Sequence, residues 1–130
     1  MALRIYNRTI LPLSIQEVLS CTDSSNGAFG CGGGYFLSSY EYVRVNGTGR
    51  ALLYPYNTRA TNEGVVTACN RTLINSQSYT GTKFRIRESG FIPFNDCAEL
   101  IQRLKIQPIA VSIATTNLQY YINGTYNVVG

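Results

Sequence analysis

In residues 25–36, SNGAFGCGGGYF, three consecutive glycines lie between a cysteine thiol and two aromatic side chains. Glycine runs cost conformational entropy on folding, so they occur where a backbone must turn or be approached closely. A phosphate-binding loop is excluded because Tyr35 and Phe36 follow the glycines where that loop needs lysine and a hydroxyl residue. The flanking cysteine and aromatics argue against a free linker. Two interpretations remain, a turn that enters a helix and a platform for an incoming peptide strand.

The chain contains four cysteines and no histidine. Four cysteines allow three fully paired arrangements, and spacing alone does not choose among them. There is no CxxC spacing, so we expect no metal site and no cofactor, and disulfides are the favoured use of the cysteines. Disulfides in turn indicate an oxidising compartment. The cysteines are Cys21, Cys31, Cys69 and Cys97.

Four Asn-x-Thr sequons point to the same compartment. However, Arg4 and Arg8 interrupt the apolar stretch that a secretion signal would need, so we expect no signal peptide. This mismatch predicts that the front of a longer protein is missing. No stretch approaches the length of apolar sequence that a membrane span requires. The candidate glycosylation sites are Asn7, Asn46, Asn70 and Asn123.

The net charge of +4 is modest, and the basic residues are spread along the chain. In the densest group, charged and apolar residues alternate over positions 83–87, KFRIR, which is the period of a strand. We expect Lys83, Arg85 and Arg87 to form a solvated strand face. Nucleic-acid binding is not expected.

The residues from position 14 onwards predict a short helix that ends near Cys21. Ser14 is the expected N-cap, and Glu17 is expected to reach back to the backbone of the cap in a capping box. The apolar residues of this helix recur at helical spacing and should face the core. They are Ile15, Val18 and Leu19.

The remaining chain predicts two further helices and two strands. One helix follows the glycines and stops at Asn46-Gly47, and another starts at residues 95–99 and is closed by Pro108. Residues 79–86 and 109–113 are predicted strands, and residues 51–75 are polar and turn-rich. Together these elements predict an α+β fold. The expected buried face of the helix after the glycines is Phe36, Leu37, Tyr40 and Val43.

Several motifs occur in an order that resembles the papain family of cysteine peptidases. The resemblance covers nearly the whole chain, and the ordered set is far more specific than GCGGG alone. In chain order the motifs are LSIQEVLSC, GCGGGY, YPY, the cysteine at 69, IQPIAVSI and LQYYINGTY.

The resemblance implies a papain-like α+β fold in which residues 1–75 are the late helical-side portion. Residues 76–130 would be the early, incomplete part of the β-barrel-like side. Unpaired strands at this incomplete side should make the isolated chain self-associate.

The resemblance also assigns roles to individual residues. Gly33 and Gly34 match the glycine pair that hydrogen-bonds the substrate backbone, and Cys21 and Cys69 match a structural disulfide. Cys31 matches a cysteine whose usual partner lies upstream. The remaining matches line the substrate subsites: Tyr35 and Phe36 beside S2 and S3, and Ser112 in S2.

The activity implied is that of a cysteine-type endopeptidase, in which a histidine activates a cysteine thiolate. The family's nucleophile motif and its histidine do not occur in this sequence, so we predict no catalytic residue here. The expected function is part of such a peptidase, inactive as given, that binds peptide or protein substrates and protein inhibitors. The alternative is a non-catalytic relative that binds peptides or inhibitors. The family implies a lysosomal, vacuolar or secreted location.

Overall fold

The computed structural model of this 130-residue chain describes residues 3–6, 9–113, 115 and 118–125. The chain divides into two compact units, Met1–Phe91 and Ile92–Gly130, and each is described by itself. In the first unit, β1 (Leu3–Tyr6) and β2 (Thr9–Pro12) form an antiparallel hairpin with Leu3 opposite Pro12. The helices of this unit are α1 (Ile15–Cys21), α2 (Phe36–Val45), α3 (Thr58–Asn62), α4 (Arg71–Ile74) and α5 (Gln77–Thr80).

The second unit contains α6 (Cys97–Leu104) and the 3₁₀ turn Leu118–Tyr120. The predicted helix start is confirmed, because the carboxylate of the N-cap Asp96 accepts the Glu99 N–H at 2.8 Å. Residues 109–113 form no strand with any other described residue, although they were predicted as one. The prediction rested on alternating apolar residues alone, and a strand requires a hydrogen-bonded partner.

Helix α1 begins as predicted but buries a different set of residues. The Ser14 hydroxyl accepts the Glu17 N–H at 3.0 Å, which confirms the N-cap. The other half of the predicted capping box is wrong, because the Ser14 N–H donates instead to the Gly49 carbonyl at 2.8 Å. The predicted stripe is confirmed for Val18, which packs against the core, and is wrong for Ile15, which is 44% exposed. The buried residues of α1 are Gln16, Glu17 and Cys21.

Glu17 is the centre of the first unit, with no exposed surface. One of its oxygens accepts hydrogen bonds from the Gly49 N–H at 2.9 Å and the Tyr79 hydroxyl at 2.6 Å. The other accepts from the Tyr42 hydroxyl at 3.2 Å and pairs with the Lys83 ammonium at 3.2 Å. A buried charge is tolerated only when such donors replace the lost water, so α1, α2 and α5 must converge on this carboxylate.

The Glu17 contacts explain why the predicted strand over residues 79–86 is wrong. Tyr79 lies in α5, where its ring is fully buried and its hydroxyl reaches Glu17. Only Phe84 of this segment forms a bridge, antiparallel to Thr48. The solvated position predicted for Lys83 is wrong too, because its side chain is 13% exposed and neutralises Glu17.

Helix α2 has the predicted ends, but of the predicted buried face Val43 packs against the core and two other residues are exposed. It runs from Phe36 to Val45, and after its C-cap Asn46 the Gly47 N–H donates to the Val43 carbonyl at 3.0 Å. Its buried residues are Ser38 and Tyr42, whereas Phe36 and Tyr40 are exposed. The bond from Tyr42 to Glu17 fixes the rotation of the helix, and an apolar pattern carries no information about that bond.

The segment between α2 and α5 contains more structure than the turn-rich sequence predicts, namely α3 and α4. Within it, Cys69 forms a disulfide with Cys21 at the end of α1, with Cα atoms 4.8 Å apart. Closing a loop of 48 residues contributes about 4 kcal/mol by restricting the unfolded chain. The buried core around this bridge is Cys21, Tyr42, Tyr54, Ile74 and Tyr79, with Val18, Val43, Cys69 and Leu73 packed against it.

Replacing Glu17 with glutamine should lower the free energy of unfolding by about 3 kcal/mol or more, because Lys83 then loses its counter-charge in a buried site. Urea unfolding followed by circular dichroism measures this. Glu63→Gln is the matched control, since Glu63 pairs with Arg59 at side-chain exposures of 58% and 88%. We expect no measurable change there. Equal effects of the two substitutions would show that Glu17 is not a central contact.

Stability should also fall at alkaline pH. Burial, followed by the interaction with Glu17, raises the pKa of Tyr42 and of Tyr79 above the ordinary value. The stabilisation is therefore complete below about pH 10 and is lost as the pH rises, because unfolded tyrosines ionise first. The free energy of unfolding should therefore decrease with pH above about pH 10, and Tyr42→Phe should reduce the slope of this decrease by up to about 1.4 kcal/mol per pH unit.

The slope is measured by urea unfolding between pH 8 and pH 11. The chain with Tyr42 and the Tyr42→Phe variant are compared, and in each the two free cysteines, Cys31 and Cys97, are replaced by serine. This background prevents free thiolates from attacking the Cys21–Cys69 bridge. A slope that Tyr42→Phe leaves unchanged would contradict the burial of the neutral phenol.

Candidate functional site

The glycine segment, residues 28–35, begins and ends with two backbone strands that lie side by side. Ala28 and Gly34 are opposite each other in an antiparallel bridge. Their neighbours make the two hydrogen bonds of the bridge, from the Phe29 N–H to the Gly33 carbonyl at 2.8 Å and from the Tyr35 N–H to the Gly27 carbonyl at 3.1 Å.

Gly34 therefore occupies the non-hydrogen-bonded position of the pair, in which a residue's own N–H and C=O point away from the partner strand. Neither group of Gly34 makes a hydrogen bond within the part of the chain that the structure describes. Gly34 is also solvent-exposed. One peptide donor and one peptide acceptor are thus presented outward together.

The turn of the glycine segment is the 3₁₀ helix Gly30–Gly32, which Gly33 ends with φ +99°. That backbone conformation favours glycine, because a side chain there would be strained. No atom lies within 4 Å of the position that a Cβ on Gly33 would occupy, so the space in front of it is open. At Gly34 a Cβ would lie 3.1 Å from the Ala28 Cα, so glycine allows the two backbones to approach.

Two aromatic residues continue from the glycine segment into α2. Tyr35 is 73% exposed, and its ring edge lies over Gly27, where a Cβ would meet it at 2.7 Å. Phe36 is the first residue of α2 and is 48% exposed. The structure therefore brings Gly33, Gly34, Tyr35 and Phe36 together on one exposed surface.

Ser112 lies in the second unit, on an exposed segment that has neither helix nor strand. Its predicted role in the S2 subsite stays a prediction. Among the candidate glycosylation sites, Asn46, Asn70 and Asn123 are exposed, and Asn7 lies outside the described residues.

The described residues include two free thiols, one of them in the turn of the glycine segment. Cys31, in the turn, and Cys97, at the start of α6, are exposed and carry no disulfide among the described residues. The described residues contain no cluster of three or more potential metal ligands. The sequence contains no histidine, so neither thiol has an imidazole base. None of the helices described is long and apolar enough to span a membrane.

Two further residues of the site were not predicted, one within the glycine segment and one packed against it. Phe29 is 59% exposed, and its Cβ lies 3.5 Å from the position of a Cβ on Gly32. Val66 lies against Gly30, where a Cβ would be 2.2 Å from its methyl group. The aromatic ring directly before the turn was a usable signal for Phe29. No local pattern connects Val66 to a glycine so distant in the sequence.

Comparison with known proteins finds relatives that are about a third identical to this chain in sequence. Mexicain from Jacaratia mexicana is 31% identical over 125 residues, which are 95% of this chain and 52% of mexicain. Cathepsin K from Gallus gallus is 32% identical over 122 residues, which are 90% of this chain and 32% of cathepsin K. The chain thus spans about half the length of mexicain and about a third of cathepsin K.

A solved structure extends the similarity to the fold. The crystal structure of the Carica candamarcensis cysteine protease CMS1MS2 in complex with E-64 matches with a TM-score of 0.60 at 32% identity. The match covers 79% of this chain and 42% of that protein. The predicted papain-like α+β fold class is therefore confirmed.

Residues 2–129 match the sequence model of a protein family whose description is "Papain family cysteine protease". Since this match extends over nearly the whole chain, and since a solved cysteine protease shares its fold, the chain belongs to the papain family of cysteine proteases.

Proposed function

We propose that this chain is part of a papain-like cysteine-type endopeptidase and supplies the strand along which the backbone of a peptide substrate binds. The observation that supports this most directly is the outward-facing peptide of Gly34. Its N–H and C=O have no partner among the described residues, and the adjacent Gly33 presents no side chain.

An extended peptide can satisfy both groups with a single residue. In an antiparallel arrangement its C=O accepts the Gly34 N–H, and its N–H donates to the Gly34 C=O. The exposed rings of Tyr35 and Phe36 then provide apolar surface for a side chain of the bound peptide.

The expected affinity of this contact is low. Two neutral hydrogen bonds contribute about 1–3 kcal/mol in total, against a larger entropic cost of association. The glycine segment is therefore suited to orient a peptide near catalytic groups, and the remaining binding energy must come from other contacts.

The proposal places catalysis outside this sequence. Hydrolysis by a cysteine peptidase requires a thiolate with a histidine base, and residues 1–130 contain no histidine. The proposed partners are peptide or protein substrates and peptide-like inhibitors. The relative that was solved in complex with E-64 supports inhibitor binding.

The Cys21–Cys69 bridge supports an oxidising location. A lysosomal, vacuolar or secreted location fits the family, and the exposed Asn46, Asn70 and Asn123 are proposed glycosylation sites. Exposed apolar side chains support self-association of the isolated chain. They include Phe91 (82% exposed) at the end of the first unit, and Phe94 (95%) and Ile106 (78%) in the second.

A non-catalytic papain-like protein that binds peptides or inhibitors is the second candidate. It is favoured by one observation, namely an exposed glycine segment in a sequence without histidine. Sequencing the transcript on both sides of these codons separates the two. A CGSCW-like motif upstream and a histidine motif downstream support the peptidase.

Peptide binding should be visible at the Gly34 amide. The ¹⁵N-labelled chain is titrated with a tetrapeptide that is blocked at both ends and has an apolar second residue. Binding should shift the resonance of the Gly34 amide. N-methylation of the peptide's second residue removes the donor to the Gly34 C=O and should weaken binding about tenfold, since an unpaired acceptor costs about 1–3 kcal/mol.

The methylated peptide is a cleaner control than a substitution at Gly34, because a Cβ there would press on Ala28. Equal affinity for the two peptides, or shifts confined to other parts of the chain, would contradict the proposed binding mode.

The isolated chain should not hydrolyse peptides. Cysteine peptidases activate their thiol with an imidazole base, and neither Cys31 nor Cys97 has one, because the sequence contains no histidine. A fluorogenic dipeptide substrate and an epoxide thiol-protease probe measure this, with Cys31→Ser and Cys97→Ser as comparison variants. Turnover that either substitution abolishes would overturn the prediction.

A further inference from the structure

Gly30, the first residue of the turn in the glycine segment, is packed against a residue from a distant part of the chain. It has φ +57°, and a Cβ built on it would lie 2.2 Å from the Val66 Cγ2. The Val66 methyl group therefore fills the space that any other residue's side chain would need at position 30. The Gly30 carbonyl in turn accepts the Gly33 N–H at 3.2 Å, which connects this contact to the Gly33-Gly34 peptide.

The residues before and after Val66 in the sequence are held in place by contacts within the first unit. Before it, the Val65 N–H donates to the carbonyl of Ala60, in the middle of α3, at 2.8 Å. After it, Thr67 and Cys69 are bound to α1. These contacts are the hydrogen bond from Gln16 to the Thr67 hydroxyl at 3.0 Å, the hydroxyl pair Ser20–Thr67 at 3.0 Å, and the Cys21–Cys69 disulfide.

By contrast, the hydrogen bonds inside the glycine segment are local. They join residues within eight positions of one another, such as Tyr35 to Gly27 and Phe29 to Gly33. Local bonds keep the segment's internal shape but do not fix its orientation relative to α1. A contact from Val66, in the segment bound to α1, supplies that long-range restraint.

We propose that Val66 is a positioning residue for peptide binding. Held to α1 through its neighbours, it fixes the turn at Gly30, and the turn keeps the Gly34 peptide outward and in place for an incoming strand. This inference rests on the proposed peptide-binding function. Val66 is 37% exposed, so its methyl groups are only partly buried and its main effect should be local order.

The test compares Val66→Ala with Val65→Ala, a matched control that removes the same atoms from a neighbour that is 53% exposed. Hydrogen exchange followed by NMR reports on the bonded amides of Phe29, Gly33 and Tyr35. Val66→Ala should accelerate their exchange about tenfold and weaken binding of the blocked tetrapeptide about threefold to tenfold. The urea midpoint of the whole chain should change little. Val65→Ala should leave exchange, affinity and midpoint as in the wild type.

Two further variants test the contact itself. Val66→Thr keeps the γ-methyl group and should restore slow exchange and peptide affinity. Gly30→Ala should accelerate exchange strongly by itself, because its Cβ collides with the Val66 methyl group. In a Val66→Ala background the same change should have a several-fold smaller effect, since the colliding atom is gone.

The outcomes separate this inference from the function on which it rests. If the wild-type chain fails to bind the tetrapeptide, the proposed function fails, and the exchange rates still decide the role of Val66. The inference is overturned if Val66→Ala leaves both exchange and affinity unchanged, or if Val65→Ala changes them equally. It is also overturned if Val66→Ala unfolds the chain, because Val66 would then be a general stability residue.

Discussion

A fully buried carboxylate, that of Glu17, determines how the first unit is arranged. Moving an ionised group out of water costs several kcal/mol, and the cost is offset only by donors held at the right distance. Those donors come from α2, from the chain after α2 and from α5: Tyr42, Gly49 and Tyr79, with Lys83 supplying the opposite charge. Gly49 is part of this solution, because a Cβ there would lie 2.5 Å from the Tyr79 ring. Glu17 and its donors, the polar centre of the first unit, therefore restrict which residue can occupy position 49 as well as the side chains around the carboxylate.

The same arrangement supports the candidate site from two directions. Helix α2 starts directly after the glycine segment, and its Tyr42 is bonded to Glu17, so the exit from the segment is fixed to the polar centre. The turn in the middle of the segment contacts Val66, whose neighbours are bound to α1. Because α1 carries Glu17 as well, contacts to one helix restrain both the turn and the exit of the segment.

The parts of the structure that follow from local chemistry were predictable, and those that depend on distant partners were not. The cap at Ser14 and the helix start within residues 95–99 are determined by a few adjacent residues, and both were confirmed. The Cys21–Cys69 pairing followed only from the family resemblance. The alternating pattern over residues 79–86 predicted a strand. In the structure, however, Tyr79 hydrogen-bonds to Glu17 and Lys83 forms an ion pair with it, and Glu17 lies more than 60 residues earlier. A local alternation of residue types contains no information about contacts with so distant a residue. For the site, the glycines and the two aromatics were predictable from their types, whereas the contact with Val66 was not.

The two interpretations of the glycine run, a turn and a peptide platform, are compatible with one geometry. The 3₁₀ turn and the positive φ of Gly33 bring Gly34 back beside Ala28, and this reversal is what leads the chain into α2. In an antiparallel pair every second residue must direct its peptide groups away from the partner strand. The hydrogen bonds that close the turn are made by the neighbours of Gly34, so they necessarily leave its own N–H and C=O outward. A glycine at this position lets the two backbones approach closely and keeps the outward edge clear of a side chain. The turn that makes the fold therefore also creates the edge on which a peptide strand can pair.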